Sequence, residues 1–267
     1  MKKILTIFNG AHNPMHVIRF SMEAAKENGY SIQAVFLDEE SSTFDGYPFP
    51  NDLSLTEEQV TTETVEEEKA RLLANNVRFV EDECAIAGVP CIIERGVSFK
   101  GLIAHSETAG FIALDSRAEF EHFDLEDVLI DAHCPVYLVA DTAQKIKHVI
   151  FAFDGSEMSM YAIQEFTALF PKMNGVKSYL VSVNTEMESE HEAFIKNLPA
   201  AQANNMTVHH LEGAEKEVFI DFLRQYPDDA VVIMGAFSRS ALSRMFHKSL
   251  ATIVLNETRL SLFIAHR

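Results

Sequence analysis

The sequence predicts an α/β protein made of two successive, doubly wound parallel-sheet domains. Three observations predict it. Short β-rich apolar runs alternate with helical periodicities along the whole chain, and the same order of elements occurs twice. The runs are apolar throughout rather than alternating with polar residues, as strands covered on both faces require. The length, 267 residues with 47% apolar content, suits two domains of ordinary size.

Each copy opens with such a run, residues 3–9 in the first and 147–154 in the second, followed by Gly10 or Gly155 and a polar turn. A helical pattern follows. Val17, Phe20, Ala24 and Ala25 carry it in the first copy, and Ala162, Phe166, Leu169 and Phe170 in the second. Gly29 and Gly175 are the expected helix stops. Second strands are expected at Ile32–Leu37 and Ser178–Val183, and third strands before Gly96 and Gly213. Helices over 98–107 and 214–225 lead to fourth strands at Gly110–Leu114 and Ala230–Met234. A last helix and strand close each copy at Val136–Ala140 and Leu260–Ala265. The expected domains are 1–142 and 145–267, joined by the polar stretch Asp141–Lys145. The first copy is longer between its second and third strands. Its insertion, 41–70, starts with a Pro-, Phe- and acid-rich loop and continues into an acidic helix from about Leu55. Ser54-Leu55-Thr56-Glu57 is its capping box, and Glu66, Glu67 and Glu68 are its solvated side.

Composition narrows the function. The net charge is −18. Residues 1–142 hold 10 basic and 26 acidic residues, a net of −16, and residues 143–267 hold 12 and 14, a net of −2. Such a chain repels nucleic acid and anionic membrane. No apolar run approaches the roughly 18 residues that span a bilayer, so a cytoplasmic protein is expected. Cys84, Cys91 and Cys134 form no C-x-x-C pair, which suits reduced thiols and gives no reason to expect zinc or another metal cofactor.

In an open parallel sheet, ligands bind beyond the carboxyl ends of the strands, where strand order reverses. In the second copy the turns after the first and fourth strands there are Asp154-Gly155-Ser156 and Gly235 through Ser238. An Asp there can accept from a ribose hydroxyl or a base amino group, and a glycine lets backbone approach a ligand. Helix capping by Asp154 and a tight turn at Gly235 would explain the same residues without a ligand. From Ala230 to Asn256 there is no acidic residue, while Arg239, Arg244, His247 and Lys248 are basic. Lys248 and Ser249 are therefore candidate phosphate contacts; pairing with the acidic first copy would explain the same charges.

These turns, with Val231 through Ser249, Gly88-Val89-Pro90, Gly96 and Cys134-Pro135-Val136, resemble the universal stress protein family. The resemblance covers nearly the whole chain as a tandem, two-domain member. It implies a Rossmann-like, adenine nucleotide alpha hydrolase-like fold in which the copies pack as an internal pseudo-dimer, and chains that can pair further as homodimers. It also implies ATP as the ligand, held by an Asp after the first strand, a Val after the second, and a G-x2-G-x9-G-[ST] loop after the fourth. On that pattern the nucleotide-binding residues are Asp154, Ser156, Val183, Gly235, Ser238, Lys248 and Ser249. Ser238 and Lys248 stand where the second and third glycines are expected, and Ser249 keeps the hydroxyl. In the first copy Asn9 replaces the Asp, and Asp115-Ser116-Arg117-Ala118 replaces the glycine start. Acidic Asp115, Glu119 and Glu121 would repel phosphate there, so ATP is expected in the second domain only.

Three functions remain open on the sequence. The first is a stress-response protein with an adenine nucleotide in its second domain, at most a weak ATPase and not a committed enzyme. The second is a protein-interaction module with a vestigial site and a protein partner. The third is an enzyme, because Asn13-Pro14-Met15-His16 is similar to the start of a nucleotidyltransferase H-x-G-H site. There Arg19 stands where the second histidine is needed and Val17-Ile18 lacks the glycine; a proline-led helical turn with surface histidines accounts for the same residues.

Overall fold

A computed structural model describes residues 2–9, 15–37, 58–120, 122–141, 145–185, 188–226, 229–235 and 250–265; for 58–66, 68 and 201 it describes the backbone alone. The first half runs β1 (Lys3–Phe8), α1 (Met15–Asn28), β2 (Ser31–Leu37), α2 (Glu58–Ala87), β3 (Cys91–Val97), α3 (Phe99–Ser106), β4 (Phe111–Asp115), α4 (Leu125–Asp131) and β5 (Val136–Val139). The second half runs β6 (His148–Ala152), α5 (Glu157–Leu169), a 3-10 turn (Pro171–Gly175), β7 (Lys177–Val183), α6 (Ser189–Lys196), α7 (Ala200–Asn204), β8 (Met206–Leu211), α8 (Glu215–Leu223), β9 (Ala230–Gly235), a helix α9 over 250–257, and β10 (Ser261–Ala265).

The ten strands form one sheet in the order β3-β2-β1-β4-β5-β10-β9-β6-β7-β8. Each half contributes five parallel strands in the same order, 3-2-1-4-5, the order of a doubly wound fold with a switch point beside its first strand. The halves join through the antiparallel pair β5–β10, where Tyr137 faces Phe263, Leu138 faces Leu262 and Val136 faces Ile264. The expected pseudo-dimer is thus a single continuous sheet, with its edges at β3 and β8.

Successive strand residues alternate between two buried faces. On one face Ile4, Phe8, Phe36, Phe111, Tyr137, Phe151 and Phe263 pack under α1, α2 and α5. On the other, Leu5, Ile7, Ile112, Leu138, Val232 and Leu262 pack under α3, α4, α8 and α9. Tyr30 fastens the halves on the first face by donating its hydroxyl to the Leu169 carbonyl at 2.6 Å across 139 residues. Tyr30→Phe is expected to cost about 1 kcal/mol, the net worth of one buried hydrogen bond, measured by denaturant unfolding.

One expected boundary moves. Gly175 does not end α5; the helix stops at Leu169 and Pro171 begins the 3-10 turn. A proline disfavours the α conformation of the residue before it, and Phe170 accordingly leaves the helix at φ −123°, ψ 61°. Gly29 does end α1, at φ +68°. The acidic helix of the insertion is α2, of 30 residues, and Glu67 on it is exposed. The 41–57 part of the insertion, with its capping box, lies outside the described residues.

Candidate functional site

The carboxyl ends of β6, β7 and β9 open on a cleft of about 500 Å³, its open mouth included. Asp154, Val183 and Gly235 all line it, so three residues far apart in sequence meet where the strand order predicts. Its other walls are mostly apolar: Ala152, Phe153, Val181, Phe219, Met234 and Leu250. Ser159 and Glu215 are the further polar members.

Asp154 is exposed and follows β6; its Oδ1 accepts the Ser156 backbone N–H at 3.0 Å. That bond makes an Asx turn, which Gly155 completes at φ +77°. The helix cap belongs to Ser156, not Asp154. The Ser156 Oγ accepts the Ser159 backbone N–H at 3.1 Å, and Ser156 is absent from the cleft wall. A side chain at Gly155 would press on Thr185 and on His191, each at 3.3 Å. His191 is buried, edge-on to Phe153 at 5.1 Å, and its Nδ1 accepts the Glu188 backbone N–H. The buried His191 of α6 thus stands directly behind the Asp154 turn.

Val183 ends β7, and its carbonyl accepts the Thr185 hydroxyl at 3.1 Å. The next residue, Asn184, turns at φ 52° and exchanges two hydrogen bonds with Gly213. These bonds fix the ends of β7 and β8 against each other. Gly235 ends β9 under the first turn of α5. A Cβ there would lie 2.6 Å from the Met158 carbonyl carbon and 2.8 Å from the Ser159 nitrogen. Gly235 therefore serves the close approach of strand and helix, whatever else the cleft holds. Ser238, Lys248 and Ser249, with the basic residues Arg239, Arg244 and His247, lie outside the described residues.

Sequence reasoning missed Phe153, Phe219, Met234 and Leu250, because apolar residues at strand ends and helix faces read as core. It also missed Glu215, an exposed acid in the first turn of α8. Position within the first helical turn after the third strand was the available signal.

The first half builds a different edge. Register places Thr6 beside Ala113 and Phe151 beside Ile233, so Asp115 occupies the place of Gly235. His16, expected on the surface, instead lies over that position. It is only 21% exposed, with Nε2 at 3.3 Å from the Asp115 carboxylate. It can sit there because α1 starts farther from its strand than α5 does. The Asp115 Oδ1 also accepts the Arg117 N–H, and Arg117 pairs with Asp141. Asn9, in the place of Asp154, donates to the Glu119 carbonyl at 2.6 Å. Asn9 and Asp115 here are thus engaged by backbone groups of the first half, and His16 covers the Asp115 carboxylate. Asn13 and Pro14 of the H-x-G-H-like stretch lie outside the described residues.

Among the described residues no three His, Cys, Asp or Glu side chains gather as a metal site, and no helix is long and apolar enough to cross a membrane.

Solved structures share this fold. A universal stress protein from Archaeoglobus fulgidus matches with a TM-score of 0.68 at 17% identity, covering 99% of this chain and 98% of its own. A protein of unknown function from Pseudomonas aeruginosa PAO1 matches with a TM-score of 0.57 at 14% identity, covering 100% and 92%. No protein-family model and no curated protein matches the sequence. The fold that the sequence resemblance implied is the fold of both halves of the chain, across the described residues.

Proposed function

We propose that this chain is a tandem universal stress protein, with domains at 1–142 and 145–267, whose second domain binds an adenine nucleotide. The meeting of Asp154, Val183 and Gly235 in one cleft at the switch point carries this reading. The apolar walls, Phe153, Val181, Phe219 and Met234, suit a base and ribose that stack and pack. Asp154 at the rim accepts from the adenine amino group or a ribose hydroxyl, and Val183 lines the cleft beside it. Glu215 disfavours phosphate on its own side. The phosphates then lie away from α8, and on the sequence pattern Lys248 and Ser249 are their candidate contacts, with Ser238 in place of a glycine.

The role is binding rather than turnover. A nucleotide-dependent regulatory protein of the cytoplasm, able to pair with a second chain, fits the acidic surface and the reduced cysteines. A protein-interaction module is the second reading, favoured by the His16–Asp115 pair in the first half and by Glu215 at the cleft rim.

Titration of the full chain with ATP in a calorimeter tests the proposal. One site per chain is expected. Asp154→Ala is expected to weaken binding by roughly tenfold or more, the worth of one charge-assisted hydrogen bond. Asp115→Ala is expected to leave affinity unchanged. Absence of heat and of any thermal shift at millimolar ATP defeats this reading and leaves the interaction module.

A further inference from the structure

Helix α2 and strand β3 meet at a tight turn that carries two of the three cysteines. Cys84 lies in the last turn of α2, and its carbonyl accepts the Val89 N–H at 3.1 Å. Gly88 takes φ +65°, the left-handed conformation that closes a helix end. This closure turns Pro90 and Cys91 back across the end of α2. The Cys84 and Cys91 side chains consequently hydrogen-bond to each other and share one apolar cluster. Cys84 is 3% exposed, whereas Cys91 is partly open and starts the outermost strand of the sheet. Cys134 is buried in the cluster on the opposite face.

We propose that Cys84 and Cys91 form a dithiol site that a hydroperoxide oxidises to an intramolecular disulfide. One sulfur, as its thiolate, attacks the peroxide oxygen; the O–O bond breaks, a sulfenic acid forms, and the alcohol or water departs. The second sulfur attacks the sulfenic sulfur, the S–S bond forms, the S–O bond breaks, and water leaves with the remaining proton. Two thiols are oxidised and one peroxide is reduced. Three features favour the second step. The two thiols already hydrogen-bond, the loop to be closed is short, so little chain entropy opposes it, and the site opens at an edge strand. Electrostatics assist the first step. The hydrogen bond from Cys91 draws the Cys84 thiol below its ordinary value, while the same bond and then burial push Cys91 up. The pair gives up its first proton more readily than a lone buried thiol such as Cys134, which burial pushes up to about 12. The product would pin the carboxyl end of the inserted helix to β3.

The test treats the full chain with hydrogen peroxide in slight molar excess and then blocks free thiols under denaturing, non-reducing conditions. Trypsin releases the fragment between Arg78 and Arg95, which holds both cysteines and no other cleavage site. The expected product is that fragment lighter by two hydrogens and unblocked, with Cys134 blocked. Free thiols per chain fall from three to one. Cys84→Ser and Cys91→Ser each abolish the product, and Cys134→Ser does not. Should the buried Cys84→Ser variant fail to fold, the variant at the partly exposed position, Cys91→Ser, decides. Three unreacted thiols, sulfinic acid on a single cysteine, or disulfide-linked dimers would each overturn the proposal.

Discussion

Gly235→Val is expected to lower the stability of the chain by about 3 kcal/mol, the upper part of the range for overpacking. The reason is local. A Cβ at Gly235 would lie 2.6–2.8 Å from three backbone atoms of Met158 and Ser159, and backbone cannot rotate aside as a side chain can. The helix must move. Its first turn is tied by the Ser156 Oγ bond to Ser159 and by the Asx turn at Asp154, so the displacement breaks those bonds as well. Gly235→Ala meets the same backbone and is expected to cost less, because it lacks the two further methyl groups. Thermal unfolding followed by circular dichroism reads the effect. At roughly 2–4 °C per kcal/mol for a chain of this size, the midpoint falls by about 6–12 °C. A fall below about 2 °C would show that α5 shifts freely. ATP titration of Gly235→Ala then separates packing from the proposed binding.

The first half shows how the same edge is built without that glycine. Between Asn9 and α1 the chain has five residues, and between Asp154 and α5 it has two. The short connection draws α5 down onto the end of β9 and demands Gly235. The long one lets α1 start higher, and Asp115 with His16 takes up the space. One difference in loop length thus separates a cleft from a set of internal bonds.

These particulars mark what the sequence makes legible. The repeated β–α order, the apolar runs at Ile4 and Val149, and the stop at Gly29 are local signals, and each becomes the expected element. The meeting of Asp154, Val183 and Gly235 follows from topology, because three strand ends of a doubly wound sheet must converge. The walls of the cleft do not follow. Phe219 and Leu250 look identical in sequence to core residues, and only the approach of α8 and α9 makes them a lining. The Cys84–Cys91 pair was hidden for a similar reason. Their spacing matches no short motif, and they meet because Gly88 reverses the chain. The His16–Asp115 pair joins residues 99 positions apart and depends on tertiary structure alone.

Phe170→Ala is expected to have the largest effect on the coupling of the two halves, a loss of about 3–5 kcal/mol. Phe170 is 2% exposed and stands at the junction. Its ring lies 5.1 Å from Phe111, 5.7 Å from Tyr137 and 6.4 Å from Phe20, all from the first half. It lies 5.0 Å from Phe166 and 6.0 Å from Phe263, both from the second. The backbone contribution at this junction is small, because β5 and β10 pair over only three register positions. Most of the attraction between the halves on this face is then aromatic packing, with each ring pair adding about 0.5–1.5 kcal/mol beyond its buried area. Truncating Phe170 removes the ring that touches both sides and leaves a void that its neighbours, held on strands, fill poorly. The wild-type chain is expected to unfold in one transition and Phe170→Ala in two, as each five-stranded unit melts by itself. Phe36→Ala is the control. Phe36 is fully buried but packs against Phe8 within the first half, so its loss destabilises one unit without cutting the link. A single, uniformly lowered transition for Phe170→Ala would mean that the continuous sheet, rather than the aromatic cluster, binds the halves into one cooperative body.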